Sequence, residues 1–181
     1  VDAALAALEK QLTLVAEMGN KQQEAYTLRR MASVYDEKGD LDKSLTRYQQ
    51  SLALYQEIGD KGWESDTLIQ LGSLEVRRQV FASAIDHYQQ CLAIYEAFNY
   101  LIGQATVWMY IGNAYTGMQN SPAAIAAYEK SLAILAQANP ADNRELIDVL
   151  KQKVYGYLGL VLIQSGDFAK ARTVLTEAIK H

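Results

Sequence analysis

The chain repeats itself every forty residues. The forty residues that begin at Gly19 are identical at twelve positions to the forty that begin at Gly59, and the same pattern returns from Asn99. A fixed period of this length is typical of a solenoid, in which each repeat packs only against its neighbours. Solenoids usually present a binding surface, so the period predicts a class of function without naming a partner.

Each repeat contains two apolar patterns of helical period. Leu28, Met31 and Tyr35 recur at steps of three and four residues, and Tyr48 and Tyr55 belong to a similar pattern in the later half. Residues at these spacings lie on one face of an α-helix. We therefore predict an antiparallel pair of helices in each repeat and no β-strand.

Turn-forming residues separate the predicted helices. Gly39 and Gly59 are each followed by an aspartate, so the glycine can end one helix in a left-handed conformation and the aspartate can cap the next. In the third repeat Ser121 is the predicted cap, with a proline directly after it. Gln79 replaces the turn glycine of the second repeat, and we expect it to loosen that turn.

Small and large residues alternate between the two helices of a repeat. Gly112 and Gly159 hold equivalent positions on first helices, and Tyr128 and Leu175 are the large residues expected opposite them. A small side chain lets two helix axes approach closely, and a large partner fills the remaining gap. We therefore predict close helix crossings at these two glycines.

These patterns resemble the tetratricopeptide repeat. The resemblance rests on Leu71-Gly72, Ile111–Tyr115, Leu158-Gly159, Gly166-Asp167 and Ala171. The period of forty is similar to that of the long-helix repeats in kinesin light chains, in related cell-polarity adaptors and in many multidomain bacterial proteins. The resemblance implies an all-α fold, a right-handed α-solenoid of antiparallel helix pairs.

The repeats divide the chain into parts of one predicted solenoid domain, 1–181. Residues 1–18 match the second helix of a partial repeat, and four repeats follow at 19–58, 59–98, 99–138 and 139–181. Seven extra residues in the last repeat predict a lengthened first helix, from about residue 142 to 164, because seven residues make almost two helical turns. Since the chain starts midway through a repeat and ends without a capping helix, we expect a piece of a longer protein or self-association through the ends.

Composition argues against several classes of function. The net charge of −4 at pH 7 argues against binding to nucleic acid. No run of eighteen apolar residues occurs, so we expect no insertion into a membrane. Cys91 is the only cysteine, which fits a reducing compartment, and we predict a cytoplasmic protein.

The sequence carries no sign of an enzyme. Its two histidines, His87 and His181, belong to no cluster with metal-ligand spacing. Cys91 shares a small packing position with Ser51 and Ser131, and no histidine is placed to activate it, so a buried thiol is expected. We predict no enzymatic activity, no catalytic residue, no cofactor and no metal ion.

The predicted binding surface lies on the first helices of the repeats, which line the concave side in the family that this chain resembles. The candidate peptide-binding residues are Tyr26, Arg29, Arg30, Ser33, Ile69, Gln70, Ser73, Arg77, Met109, Tyr110, Asn113, Tyr157 and Leu160. The early part of this set is cationic and the later part apolar, which would suit a peptide with an acidic and an apolar portion. Alternatively, the arginines pair with acidic neighbours such as Asp36, and Met109 and Leu160 are buried between helices.

The sequence therefore predicts a scaffold or adaptor that binds a protein or peptide on its concave face. Two alternatives stay open. One is a ligand-sensing regulatory module of a larger multidomain protein. The other is self-assembly through the uncapped ends of the solenoid.

Overall fold

The computed structural model describes residues 2–179, without the side chains at 140 and 142, so His181 lies outside the described residues. Within this range the chain forms helices and no strand, which confirms the all-α prediction. The helices are α1 (Asp2–Glu17), α2 (Lys21–Lys38), α3 (Leu41–Ile58), α4 (Lys61–Arg77), α5 (Phe81–Ala97), α6 (Leu101–Gly117), α7 (Ser121–Leu135), α8 (Pro140–Gln164) and α9 (Phe168–Ala178).

The helices fall into two compact units. The N-terminal unit, Val1–Arg78, holds α1 to α4, and the C-terminal unit, Gln79–His181, holds α5 to α9. The prediction of one continuous domain over 1–181 stays a prediction.

Glycine ends and aspartate caps helices of the N-terminal unit as predicted. Gly39 has a φ of 82° and Gly59 a φ of 78°, both in the left-handed region. The carboxylates of Asp40 and Asp60 accept hydrogen bonds from backbone N–H groups three residues later, at 3.3 and 3.1 Å. These carboxylates thus satisfy donors that a helix start leaves without an intrahelical partner.

The cap of α7 lies one residue before the predicted one. The side chain of Asn120 accepts a hydrogen bond of 3.2 Å from the backbone N–H of Ala123, while Ser121 is already the first residue of the helix. The prediction that Ser121 caps this helix is therefore wrong. Asn120 lies eighty residues after Asp40, so the repeat itself assigns the cap to this position.

Within residues 2–179, three turns reach the left-handed region without glycine. Gln79 has a φ of 62°, Asn99 of 52° and Gln119 of 58°. The φ of Gln79 lies in the same left-handed region as that of Gly39, and the expectation that Gln79 loosens this turn stays a prediction. A residue with a Cβ has to carry the steric cost of that conformation.

Replacing Gln119 with glycine is expected to raise the free energy of unfolding by about 1 kcal/mol, because glycine removes the clash that a Cβ makes at positive φ. Gln119 ends α6 with a hydrogen bond of 2.9 Å from its N–H to the carbonyl of Thr116, which glycine keeps. Asn99→Gly is the matched control, and a gain below about 0.5 kcal/mol is expected because asparagine tolerates this region. Urea denaturation of both variants measures the difference, and equal gains would contradict the steric explanation.

Buried apolar side chains form clusters within each unit. In the N-terminal unit one cluster includes Leu5, Leu8, Met31 and Tyr35, and another includes Ala32, Tyr48, Leu71 and Leu74. In the C-terminal unit a larger cluster draws on α6, α7, α8 and α9, and includes Tyr128, Val154 and Leu158. Burial of these apolar surfaces drives the helices together.

The predicted close crossings are confirmed. A Cβ added to Gly112 would lie 2.5 Å from the ring of Tyr128, and one added to Gly159 would lie 2.4 Å from Leu175. No side chain larger than a hydrogen fits there without movement.

The first helix of the fourth repeat, α8, is the longest of the described helices. α8 has 25 residues, and Asn143 interrupts it with a φ of −170° and a ψ of 81°. The side chain of Asn143 accepts a hydrogen bond of 3.1 Å from the N–H of Leu146, as a helix cap does. The continuous part of the helix therefore starts directly after Asn143.

Small hydroxyl residues join the two helices of a repeat at a fixed position. Ser51 donates a hydrogen bond of 2.8 Å to the carbonyl of Ala25, and Ser131 one of 2.7 Å to the carbonyl of Ala105. Cys91, at the equivalent position, is fully buried, as predicted for this thiol.

Candidate peptide-binding site

Arg29 of α2 lies against α4 in the N-terminal unit. Its Nη1 donates a hydrogen bond of 2.6 Å to Oδ2 of Asp66, and its guanidinium carbon lies 4.3 Å from the centroid of the Trp63 ring. The Arg29 side chain is 21% exposed and that of Asp66 41%. The positive charge of Arg29 is therefore balanced within the chain itself.

Aromatic rings hold this arginine in place. Trp63 stacks on Tyr55 at a centroid distance of 6.2 Å, and Tyr26 meets the edge of Trp63 at the same distance. Burial raises the pKa of Tyr55, and the Arg29 guanidinium acts in the opposite direction. The Tyr55 hydroxyl and Nε of Arg29 are both buried and have no hydrogen-bond partner at normal distance.

The other predicted arginines differ in their surroundings. Arg77 is exposed and forms an ion pair with Asp36, which is the pairing that the sequence left open as an alternative. Arg30 is exposed, and its guanidinium carbon lies 5.9 Å from the centroid of the Tyr26 ring. The predicted cationic surface is thus largely neutralised, with Arg30 as its exposed cation on α2.

The remaining predicted residues of the N-terminal unit lie on the same two helices. Ser33 is exposed on α2, whereas Ile69, Gln70 and Ser73 are half-buried on α4. Burial raises the pKa of Tyr48, a core tyrosine of α3, and the positive charge of Arg29 acts against this shift.

The C-terminal unit has a cavity of about 220 Å³ between α6 and α8, and three predicted residues line it together. These are Asn113, Tyr157 and Leu160, and the other lining residues are Thr116, Tyr128, Val161 and Gln164. The Tyr128 hydroxyl donates a hydrogen bond of 2.7 Å to Oδ1 of Asn113 and lies 3.2 Å from the Thr116 hydroxyl. These contacts fix the floor of the cavity.

Tyrosine pairs connect successive helices of the C-terminal unit. Tyr128 and Tyr157 stack with centroids 6.1 Å apart and planes at 26°, and Tyr88 and Tyr110 form an equivalent pair at 5.6 Å and 25°. Burial raises the pKa of both Tyr110 and Tyr128. These rings are therefore neutral apolar surfaces near pH 7.

One predicted contact is wrong. Met109 is 4% exposed and belongs to the core cluster of the C-terminal unit, so it cannot present its side chain to a ligand on the surface. Leu160 is the opposite case. It is 56% exposed, which excludes the alternative that it is buried between helices.

A second cavity of about 430 Å³ adjoins the first. Tyr157 and Leu160 line both cavities, and Gln152, Lys153, Gly156 and Leu175 complete the second. The exposed side of α8 therefore carries a continuous depression around Tyr157 and Leu160.

The sequence did not indicate Tyr128, Trp63 or Val161 as part of the site. Tyr128 fills the gap beside Gly112 and also lines the smaller cavity, so one residue does both. Trp63 is partly exposed and covers Arg29. Val161 lines the smaller cavity, but no sequence pattern indicated this, because its place in the lining depends on the position of α6.

The described residues show no arrangement for a metal ion and no membrane span. Within residues 2–179, no group of three or more His, Cys, Asp and Glu side chains is placed to hold a metal ion. None of the helices in this range combines the length and the apolar character needed to cross a membrane.

Family models match the chain over two segments. Models described as tetratricopeptide repeat match residues 23–97 and residues 152–180. The chain belongs to the tetratricopeptide repeat family. No curated protein sequence matches it.

Solved structures with the same fold include proteins of several kinds. BtubC from P. vanneervenii is 23% identical with a TM-score of 0.73, over 89% of this chain and 64% of that one. A protein described as a kinesin light chain of Podosopora anserina, with nearly identical tetratricopeptide-like repeats, is 14% identical with a TM-score of 0.78, over 99% and 85%.

A third neighbour is far longer. A signal transduction ATPase with numerous domains from Pyrococcus horikoshii, which has a tetratricopeptide repeat sensor, is 18% identical with a TM-score of 0.74, over 96% of this chain and 26% of that one. The present chain therefore spans 64% of the length of BtubC and 26% of that ATPase. At these identities the likeness shows the fold, an all-α helical-repeat solenoid.

Proposed function

We propose that this tetratricopeptide repeat chain is a protein-interaction scaffold that binds peptide segments of its partners on the first helices of its repeats. Its fold is one typical of non-catalytic scaffolds. The observation that carries the proposal is the surface of α6 and α8. There Asn113, Tyr157 and Leu160, which the resemblance to the family predicted as contacts, line one cavity of about 220 Å³.

The α6–α8 surface suits an apolar side chain of the peptide. Leu160 is 56% exposed and Tyr157 is 39% exposed, so a ligand that covers both removes apolar area from water. Complete burial of one large apolar side chain contributes about 1.5–3 kcal/mol. Oδ1 of Asn113 already accepts from Tyr128, so the NH₂ group of Asn113 is the donor for a carbonyl of the peptide.

The N-terminal unit offers a separate surface for an acidic group. Because Asp66 already pairs with Arg29 and Asp36 with Arg77, we assign the acidic contact to Arg30. Arg30 is exposed and packs near Tyr26, which holds the guanidinium without consuming its hydrogen-bond donors. An acidic side chain of a partner would accept from this guanidinium.

Leu160→Glu is expected to weaken peptide binding at least tenfold, because a carboxylate beside the cavity cannot be buried under an apolar side chain. Peptides selected from a random display library on the wild-type chain supply the ligands, and fluorescence anisotropy measures their affinities. Leu146→Glu is the matched control, since Leu146 is also an exposed leucine of α8 and lines neither cavity on that helix.

The Leu146→Glu control shows whether a loss of peptide affinity is specific to the α6–α8 surface. Loss with Leu160→Glu and retention with Leu146→Glu would support the α6–α8 surface. Equal affinities of all three proteins for the selected peptides would contradict it. Arg30→Glu should weaken the binding of those selected acidic peptides whose affinity Leu160→Glu leaves unchanged, and unchanged affinity in the Arg30→Glu variant would remove the acidic contact from the proposal.

A further inference from the structure

A cavity of about 350 Å³ lies between α1, α2 and α3 of the N-terminal unit, and none of the predicted peptide-binding residues lines it. Its lining includes Leu12, Glu24, Leu28, Arg47, Gln50 and Leu54. Three leucines from three different helices form its walls, and the charged and polar groups belong to Glu24, Arg47 and Gln50. Nη1 of Arg47 donates a hydrogen bond of 3.0 Å to Oε1 of Gln50.

The same position occurs again eighty residues later, in the C-terminal unit. The equivalence is structural as well as numerical, because Ser51 and Ser131 donate to the carbonyls of Ala25 and Ala105 at nearly the same distance, 2.8 and 2.7 Å. In this register Leu28 corresponds to Trp108, and Gln50 corresponds to Lys130. The two repeats can thus be compared residue by residue.

In the C-terminal unit an indole occupies this position. The Nζ of Lys130, on α7, lies 4.0 Å from the centroid of the Trp108 ring, and Nε1 of Trp108 is buried. A cation at this distance above an indole is a favourable contact. Where the N-terminal unit has a leucine and a cavity, the C-terminal unit therefore has an indole covered by a cation.

We propose that the α1–α3 cavity receives the tryptophan side chain of a partner protein, in the way that Trp108 fills the equivalent position within the chain. An apolar cavity of about 150 Å³ holds a benzene molecule, so about 350 Å³ has room for a two-ring system. Arg47 supplies the cation for the face of the ring, and the Glu24 carboxylate is an acceptor for the indole N–H.

The mouth of the cavity favours a ring that is carried by a peptide. Gln50 and Ala53 line the cavity and are exposed on α3, so the backbone that carries the ring can stay outside in solvent. This site shares no residue with the α6–α8 surface or with Arg30. Its existence therefore does not depend on the peptide-binding function proposed above.

The test is a titration of the whole chain with N-acetyltryptophanamide, followed by NMR of the leucine methyl groups. The resonances of Leu12, Leu28 and Leu54 should shift in a saturable way because an indole ring close to them changes their shielding. N-acetylleucinamide, which has no aromatic ring, is the matched ligand control. The methyl resonance of Leu160, which lies outside this site, should not follow the same binding curve.

Two variants close the cavity in different ways. Leu28→Trp with Gln50→Lys copies Trp108 and Lys130 into the N-terminal unit and should abolish the saturable shifts. Ala53→Lys leaves the core unchanged and extends a side chain over the mouth from an exposed helical position, so it should weaken binding at least tenfold even if the double variant does not fold.

Each result decides the proposal. Saturable shifts in the wild type that Ala53→Lys weakens tenfold would support it. Absent shifts at millimolar ligand, or equal affinity in the Ala53→Lys variant, would overturn it. Free indole that binds at least ten times more tightly than N-acetyltryptophanamide would overturn the assignment to a peptide-borne ring and indicate a small aromatic ligand.

Discussion

Gly112→Leu is expected to lower the free energy of unfolding by about 3 kcal/mol or more, because it overfills a close helix crossing. A Cβ at this position would lie 2.5 Å from Cε1 of Tyr128 and 2.9 Å from Cζ of the same ring. The ring cannot retreat easily, since its hydroxyl donates to Asn113 and its face stacks on Tyr157. Insertion at Gly112 therefore disturbs a hydrogen bond, a stacked pair and the floor of the α6–α8 cavity together.

Thermal unfolding followed by circular dichroism measures this effect. For a chain of this length a loss of about 3 kcal/mol lowers the Tm by roughly 6–12 °C. Gly156→Ala on α8 is the control, because no heavy atom lies within 4 Å of an added Cβ and alanine favours a helix. It should raise the stability by up to about 1 kcal/mol. A Gly112→Leu variant as stable as the wild type would contradict the close crossing.

The crossing at Gly112 also illustrates what the sequence could predict. Because the period is fixed, the glycine on the first helix of a repeat faces the same position on the second helix in each repeat. Gly112 with Tyr128 and Gly159 with Leu175 could therefore be paired from the sequence. Helix ends were predictable for a similar reason. A glycine followed by an aspartate is local chemistry, and its effect at Gly39 does not depend on distant residues.

The state of the candidate binding residues was harder to predict, because it depends on neighbouring helices. Arg29 and Asp66 are 37 positions apart, and only the packing of α2 against α4 brings their charges within 2.6 Å. Met109 and Leu160 looked alike in sequence, yet Met109 is 4% exposed and Leu160 is 56% exposed. Helical period assigns a residue to a face, but the adjacent helix decides whether that face is covered.

Tyr55→Ala is expected to lower the free energy of unfolding by about 3–5 kcal/mol, as for other buried aromatic side chains. Tyr55 is fully buried and stacks on Trp63, and Trp63 in turn carries the guanidinium of Arg29 at 4.3 Å. Truncation removes the contacts of the ring and leaves Trp63 without its stacked partner. The loss should therefore exceed that of Arg29→Ala, which leaves both rings in place.

Tyr55→Phe separates the ring from its hydroxyl. The hydroxyl is buried without a hydrogen-bond partner at normal distance, so its removal should leave the stability unchanged or slightly higher. Tyr128→Phe is the matched comparison and should cost about 1 kcal/mol, because that hydroxyl donates to Asn113. Urea denaturation of the two phenylalanine variants decides the matter. An equal loss of unfolding free energy in Tyr55→Phe and Tyr128→Phe would mean that the Tyr55 hydroxyl has a hydrogen-bond partner in solution. Nε of Arg29, which is also buried without a hydrogen-bond partner, would be the first candidate for that partner.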